Sequence, residues 1–111
     1  MTSQRLDPFQ VIADPGRRKM LMMLSKNSLT INSIAENFEM SRPAISQHIK
    51  ILTECGIIVI KKQGRERHCE LQAERLASVA DWIEPFRKMW EERFDRMDQL
   101  INELKHKKQK K

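Results

Sequence analysis

Between Ser41 and Gly56 apolar and polar positions recur with a helical period. Ile45, Ile49 and Leu52 fall on one stripe, and Arg42, Ser46, Gln47 and Lys50 lie off it. The ends of this helix are written into the chain: Ser41 suits the N-cap, with its hydroxyl placed to accept from the Ala44 amide, and Pro43 has no N–H to leave unpaired in the first turn. Gly56 suits a left-handed residue after the last turn, and Met40 and Ile45 occupy hydrophobic-staple positions. A preceding segment, Thr30 to Phe38, has its own Thr30 cap and apolar residues at 31, 34, 35 and 38, and only Glu39 and Met40 separate it from the second helix. The pattern predicts a helix-turn-helix over 30–55 with a polar outer face.

The same reading orders the rest of the chain. Leu6, Phe9, Ile12 and Ala13 suggest a short first helix over 6–13. Asp14 then caps a second helix over 15–25, with Pro15 at its first position and Met20, Leu21 and Leu24 on the buried stripe. Lys26 to Ser28 form a polar loop. After Gly56 the period changes: Ile57 to Ile60 are apolar and β-branched, Gly64 and Arg65 mark a turn, and Glu66 to Leu71 return, which predicts a β-hairpin over 57–71. From 73 to 104 the chain reads as helical, with Val79, Trp82, Ile83, Phe86, Met89, Trp90, Phe94, Met97, Leu100, Ile101 and Leu104 at steps of three and four. Pro85 fits if that helix begins near Asp81 or Trp82, and otherwise marks a break or kink. The fold class is therefore mostly α with a small β-hairpin: a winged helix-turn-helix with a long C-terminal dimerisation helix. The basic residues 105–111 have no apolar anchor and are expected to form a mobile tail.

The run Ala13 to Leu21, followed by Ser41 to Leu52, resembles the ArsR family of winged helix-turn-helix transcriptional repressors. The likeness extends over roughly Asp7 to Leu104, and Gly16 departs from the family pattern, where a threonine is more usual. Trp82 to Phe94 is similar to the C-terminal helix of a branch of the family without the recognised metal motifs. The resemblance implies repression rather than activation, and it implies a dimer in which this helix pairs with the first.

At 111 residues the chain is expected to form one domain, 1–111. Its net charge of +6 favours an acidic partner, and the charge is unevenly placed. Ser41 to Cys69 holds six basic and two acidic residues, whereas Gln72 to Leu104 holds eight acidic and five basic. The first residues, Met1 to Asp7, lack the apolar core of a leader, and no run approaches the ~20 apolar residues of a membrane span, so a cytoplasmic protein without membrane association is expected. Cys55 and Cys69 do not form a Cys-x-x-Cys pair and are read as reduced thiols acting as small hydrophobes.

These features converge on double-stranded DNA. Arg42, Ser46 and Gln47 are placed for base edges, because Gln pairs bidentately with adenine and Arg with guanine. Pro43 shares their turn, and His48 and Lys50 are assigned to phosphates. Lys61, Lys62, Arg65 and Arg67 cluster at the hairpin tip, where a wing lies along the backbone. Arg17, Arg18 and Lys19 suit either phosphates or a solvated helix face. A symmetric dimer through the C-terminal stripe, with Phe9 from the first helix, presents two identical readers and calls for an inverted-repeat operator. No nucleophile elbow, acid-base pair or glycine-rich phosphate loop is present in the sequence, and the family's metal-ligand pairs are missing from 30–38 and from the last helix; a non-enzyme without cofactor is expected, its effector unknown. Two alternatives stand: a thiol- or metal-responsive DNA-binding sensor using Cys55 and Cys69, and a protein-interaction adaptor with incidental nucleic-acid affinity.

Overall fold

A computed structural model describes residues 6–109; Met1 to Arg5, at the start of the stretch searched for a leader, and Lys110 and Lys111 of the expected tail lie outside the described residues. The element order is α1 (Pro8–Ile12), α2 (Pro15–Leu24), β1 (Leu29–Thr30), α3 (Ile31–Glu36), α4 (Arg42–Glu54), β2 (Ile58–Gln63), β3 (Glu66–Leu71), a 3-10 turn (Ala73–Leu76) and α5 (Ala77–Gln109). The described chain divides into two compact units, one ending at Val79 and the other beginning at Ala80.

The first unit is built by capped helices around one apolar cluster. Asp7, Asp14, Thr30 and Ser41 each accept, through a side-chain oxygen, from the amide three residues on, satisfying a donor that the first helical turn leaves orphaned. At Asp7 the bond is reciprocated, since the Gln10 side chain accepts from the Asp7 amide at 2.8 Å, completing a capping box. The cluster joins Val11, Met20, Leu21 and Leu24 to Ile34, and these to Ile45, Ile49 and Leu52 of α4 and to Ile57, Ile58 and Cys69 of the hairpin. All of them are nearly or wholly out of solvent.

Gly56, at φ +74°, takes the left-handed residue that ends α4, so that Ile57 enters the core directly. The hairpin turns on Gly64, also left-handed at φ +67°, and its two-residue loop leaves Gln63 opposite Glu66. The sheet has a strand that the sequence pattern did not announce: β1, only Leu29 and Thr30, pairs antiparallel with β3 through Cys69 and His68, giving the order β1-β3-β2. Two residues carry no periodicity, and the pairing is set by the distant hairpin.

The second unit is α5 from Ala80 onward. Its helix begins at Ala77, following the 3-10 turn, and runs on through Pro85, which withholds one backbone donor from the carbonyl of Asp81. Arg87 bridges Glu84 and Glu91 along one exposed face. The helix continues beyond Leu104, so 105–109 are helical where a mobile tail was expected. Among the described residues no helix is long and apolar enough to cross a membrane.

Candidate nucleic-acid interface

Burial of one stripe of α4 determines what the others face. With Ile45, Ile49 and Leu52 in the core, helical geometry turns Arg42, Pro43, Ser46, Gln47 and Lys50 outward, and all five are exposed. Arg42 and Ser46 lie on the flank toward the hairpin. Arg42 donates to the Asn32 side chain of α3, which fixes its guanidinium across the turn of the motif.

His48 faces the opposite flank, toward α2. Its Nδ1 is 3.3 Å from an Arg17 guanidinium nitrogen, its Nε2 is 4.0 Å from an Asp14 carboxylate oxygen, and its side chain is only 17% exposed. The imidazole assigned to phosphate contact is thus occupied with holding α4 against α2. Arg17 is equally engaged, donating from Nε to the Val11 carbonyl at 2.8 Å and from its guanidinium to that of Gln10. Arg18 donates to the carbonyls of Ile12 and Ala13, closing the last turn of α1, and Lys19 reaches the Asn37 carbonyl at 2.8 Å while lying over the Phe38 ring. Of the two readings open for this basic run, phosphate contact or a solvated helix face, its contacts within the fold match neither: the three side chains pin α1, α2 and the end of α3 together. Gly16 belongs to the same corner. A Cβ there would stand 2.7 Å from Met40 Cε and 3.0 Å from an Asp14 oxygen, so its absence gives the Met40 side chain its place.

In the wing the four expected cations separate. Alternation along the strands puts Ile58, Ile60 and Lys62 on one face with their partners Leu71, Cys69 and Arg67. Lys62 and Arg67 therefore continue, past the core, the face that looks toward α4. Lys61 is on the other face and forms an ion pair with Glu70 at 3.3 Å. Arg65 sits at the exposed tip. Lys50, Lys62, Arg65 and Arg67 have no ion pair with the described residues. That leaves four uncommitted cations, Lys50 on the outer face of α4 and Lys62, Arg65 and Arg67 on the wing.

The cysteines lie apart from this surface chemistry. Cys69 is fully buried, and burial pushes its thiol up, away from the reactive thiolate. Cys55 is half-buried, with Sγ 2.8 Å from the Leu6 carbonyl oxygen. Among the described residues no group of three or more His, Cys, Asp or Glu is placed to hold a metal ion.

The apolar residues expected at a dimer contact are distributed along α5. Trp82, Phe86, Met89, Trp90, Phe94, Met97, Leu100, Ile101 and Leu104 are each at least 40% exposed, and Ile83 is half-buried. The rings of Trp82 and Phe86 meet with centroids 5.0 Å apart and planes tilted by 47°. Phe9, the α1 residue in that set, is also exposed.

A helix-turn-helix followed by a basic two-stranded wing defines the winged helix-turn-helix class of DNA-binding folds. The profile of the group described as "Bacterial regulatory protein, arsR family" matches residues 14–59. The chain is 35% identical to the transcriptional repressor SdpR of Bacillus subtilis over 75 residues, which cover 68% of this chain and 83% of that protein. It is 30% identical to the HTH-type transcriptional regulator Rv2034 of Mycobacterium tuberculosis, over 70% of this chain and 73% of that one. A crystal structure of a possible transcriptional regulator for arsenical resistance superposes with a TM-score of 0.66 at 38% identity, covering 73% of this chain and 84% of the other. The homodimeric winged helix-turn-helix DNA-binding domain of Mb0332 from Mycobacterium bovis, at 16% identity, shares the fold, with a TM-score of 0.59 over 73% of this chain and 75% of that one. The chain belongs to the arsR family of bacterial regulatory proteins.

The corner beneath α4 is open to test through Asp14. The Arg17 amide, and then the charges of His48 and Arg17, hold the Asp14 carboxyl below the usual aspartate value, although burial opposes them. A carboxylate depressed in the folded state contributes stability that is present above its unfolded pKa and lost as pH falls through the folded value. Asp14→Ala is expected to cost about 1 kcal/mol in urea denaturation at neutral pH, with the difference from wild type shrinking below about pH 4. A difference that does not change with pH would show that the carboxylate's charge is not what holds this corner.

Proposed function

We propose that this chain is a sequence-specific, homodimeric transcriptional repressor that binds an inverted-repeat operator in the cytoplasm and carries out no catalysis. The observation that carries the reading is the exposed polar face of α4, which with the wing presents four cations that have no ion-pair partner among the described residues. Free cations beside a reading helix gain most from phosphate, because each one neutralised releases condensed counterions. Arg42, Ser46 and Gln47 face base edges in the major groove, with Pro43 shaping the entry of α4. Lys50, Lys62, Arg65 and Arg67 hold the backbone on either side, and Lys61 adds to the field from the far face of the wing. His48 acts from behind, setting the angle of α4 rather than touching DNA.

The dimer rests on α5. Its exposed aromatic and aliphatic stripe is more apolar surface than one helix covers alone, and a symmetry mate presents the same stripe in return. Two identical readers then require half-sites about one helical turn apart, ~34–36 Å. Repression is supported by the likeness to SdpR of Bacillus subtilis, a transcriptional repressor.

Gln47→Ala is expected to cost about 1–3 kcal/mol on the cognate duplex and to relax its sequence preference. Arg65→Ala is expected to weaken cognate and scrambled duplexes alike and to lower the salt slope by about one. Fluorescence anisotropy over a salt series reads both. Equal losses on both duplexes for Gln47→Ala would remove its base-reading role.

Light scattering at micromolar concentration is expected to give twice the protomer mass of 13.2 kDa for the wild type and a single protomer for Phe94→Glu. A wild-type monomer would contradict the proposed assembly.

A further inference from the structure

The outer face of α4 and the wing are separated by a cleft, and its two halves differ in chemistry. The inner half, about 320 Å³, has a floor of Ile31, Ile49 and Ile60. The outer half, about 310 Å³, runs toward the wing tip past Arg42 and Arg65. Ile31, Ser46 and Arg67 line both, so Arg67 and Ser46 stand where the apolar floor meets a mouth bordered by Arg42, Arg65 and Glu66, the last of these 3.6 Å from His68. Arg67 has no carboxylate partner among the described residues. At the end away from the wing tip Glu54 borders the apolar half and is likewise unpaired among the described residues, one helical turn beyond Lys50.

We propose that this cleft is an effector site for a small monoanionic amphiphile, an aryl or alkyl carboxylate. Arg67 takes the carboxylate through its planar fork with Ser46 as a second donor, and the hydrocarbon lies on Ile31, Ile49 and Ile60. Glu54 at the far end repels a second acidic group, which restricts the ligand to one charge. The volume lies at the lower end of the range for small-molecule pockets and limits the ligand to roughly a dozen heavy atoms. The regulatory consequence rests on the DNA-binding reading above. Ser46, Lys50 and Arg67 would be shared between ligand and duplex, so each excludes the other. At a ligand concentration ten times its Kd, the apparent DNA Kd then rises about tenfold.

Phenylbutyrate is a suitable probe, with phenylbutanol as its uncharged counterpart. In nitrogen–proton correlation spectra of the free protein, phenylbutyrate is expected to shift the amides of Ser46, Ile49, Lys50, Ile60 and Arg67 in a saturable way. A Kd on the order of 1 mM is appropriate to a ligand of this size. Phenylbutanol and the Arg67→Ala variant should each bind about tenfold more weakly or worse, with the remaining amides of Arg67→Ala unmoved as evidence that it folds. Absence of saturable shifts at these amides by roughly 10 mM, or equal affinity for acid and alcohol, would overturn the site. Because this readout contains no DNA, it stands or falls independently of the operator. Displacement is read separately, by anisotropy of a bound duplex. Release by phenylbutyrate supports the effector role, and a ligand that saturates the cleft without releasing the duplex would overturn it.

Discussion

Everything on the proposed DNA-facing side follows from how one stripe of α4 is buried. Ile45, Ile49 and Leu52 are held among Met20, Leu21, Leu24 and Ile34, and a helix is too stiff to turn one face without turning the others. Once those three side chains are in the core, Ser46, Gln47 and Lys50 must face solvent, and the flank carrying His48 must meet α2. The Asp14, Arg17 and His48 contacts then secure the remaining freedom, rotation of α4 about its buried edge. The wing follows as well: Gly56 ends the helix in a left-handed turn, Ile57 and Ile58 enter the same core, and the pleat carries Lys62 and Arg67 out on the side that looks at α4.

What was legible in the sequence was whatever is encoded locally. The caps at Asp14, Thr30 and Ser41, the stop at Gly56, the stripe of α4 and the hairpin around Gly64 are short-range patterns, and each is found where the pattern put it. What depended on distant pairing was not legible. Leu29 and Thr30 form a strand only because β3 arrives beside them. Residues 105–109 read as tail from charge alone, yet an established helix extends through good helix formers without needing a buried face.

The charged residues show the same division. Composition identified the basic surface, but the count of cations overstated what is free. Arg17, Arg18 and Lys19 are consumed by backbone carbonyls, and Lys61 by Glu70. A one-residue offset along β2 decides the difference between Lys61 and Lys62, since successive strand residues point to opposite faces. His48 is the clearest instance. Helical spacing places it off the buried stripe, yet Arg17 and Asp14 reach it from another helix, and no pattern within α4 announces them. The proposed reading surface is accordingly smaller and better defined than the sequence alone suggested, and it borders a cleft whose apolar floor needs no DNA to explain it.

The most direct test of the central claim is selection of bound sequences from a random duplex library at near-physiological salt, with protein held at a concentration where its assembly state is known. A dimer reading base edges through α4 enriches an inverted repeat with half-sites about one helical turn apart. Tight binding that enriches no sequence would contradict this account, leaving a basic surface that holds DNA by charge alone.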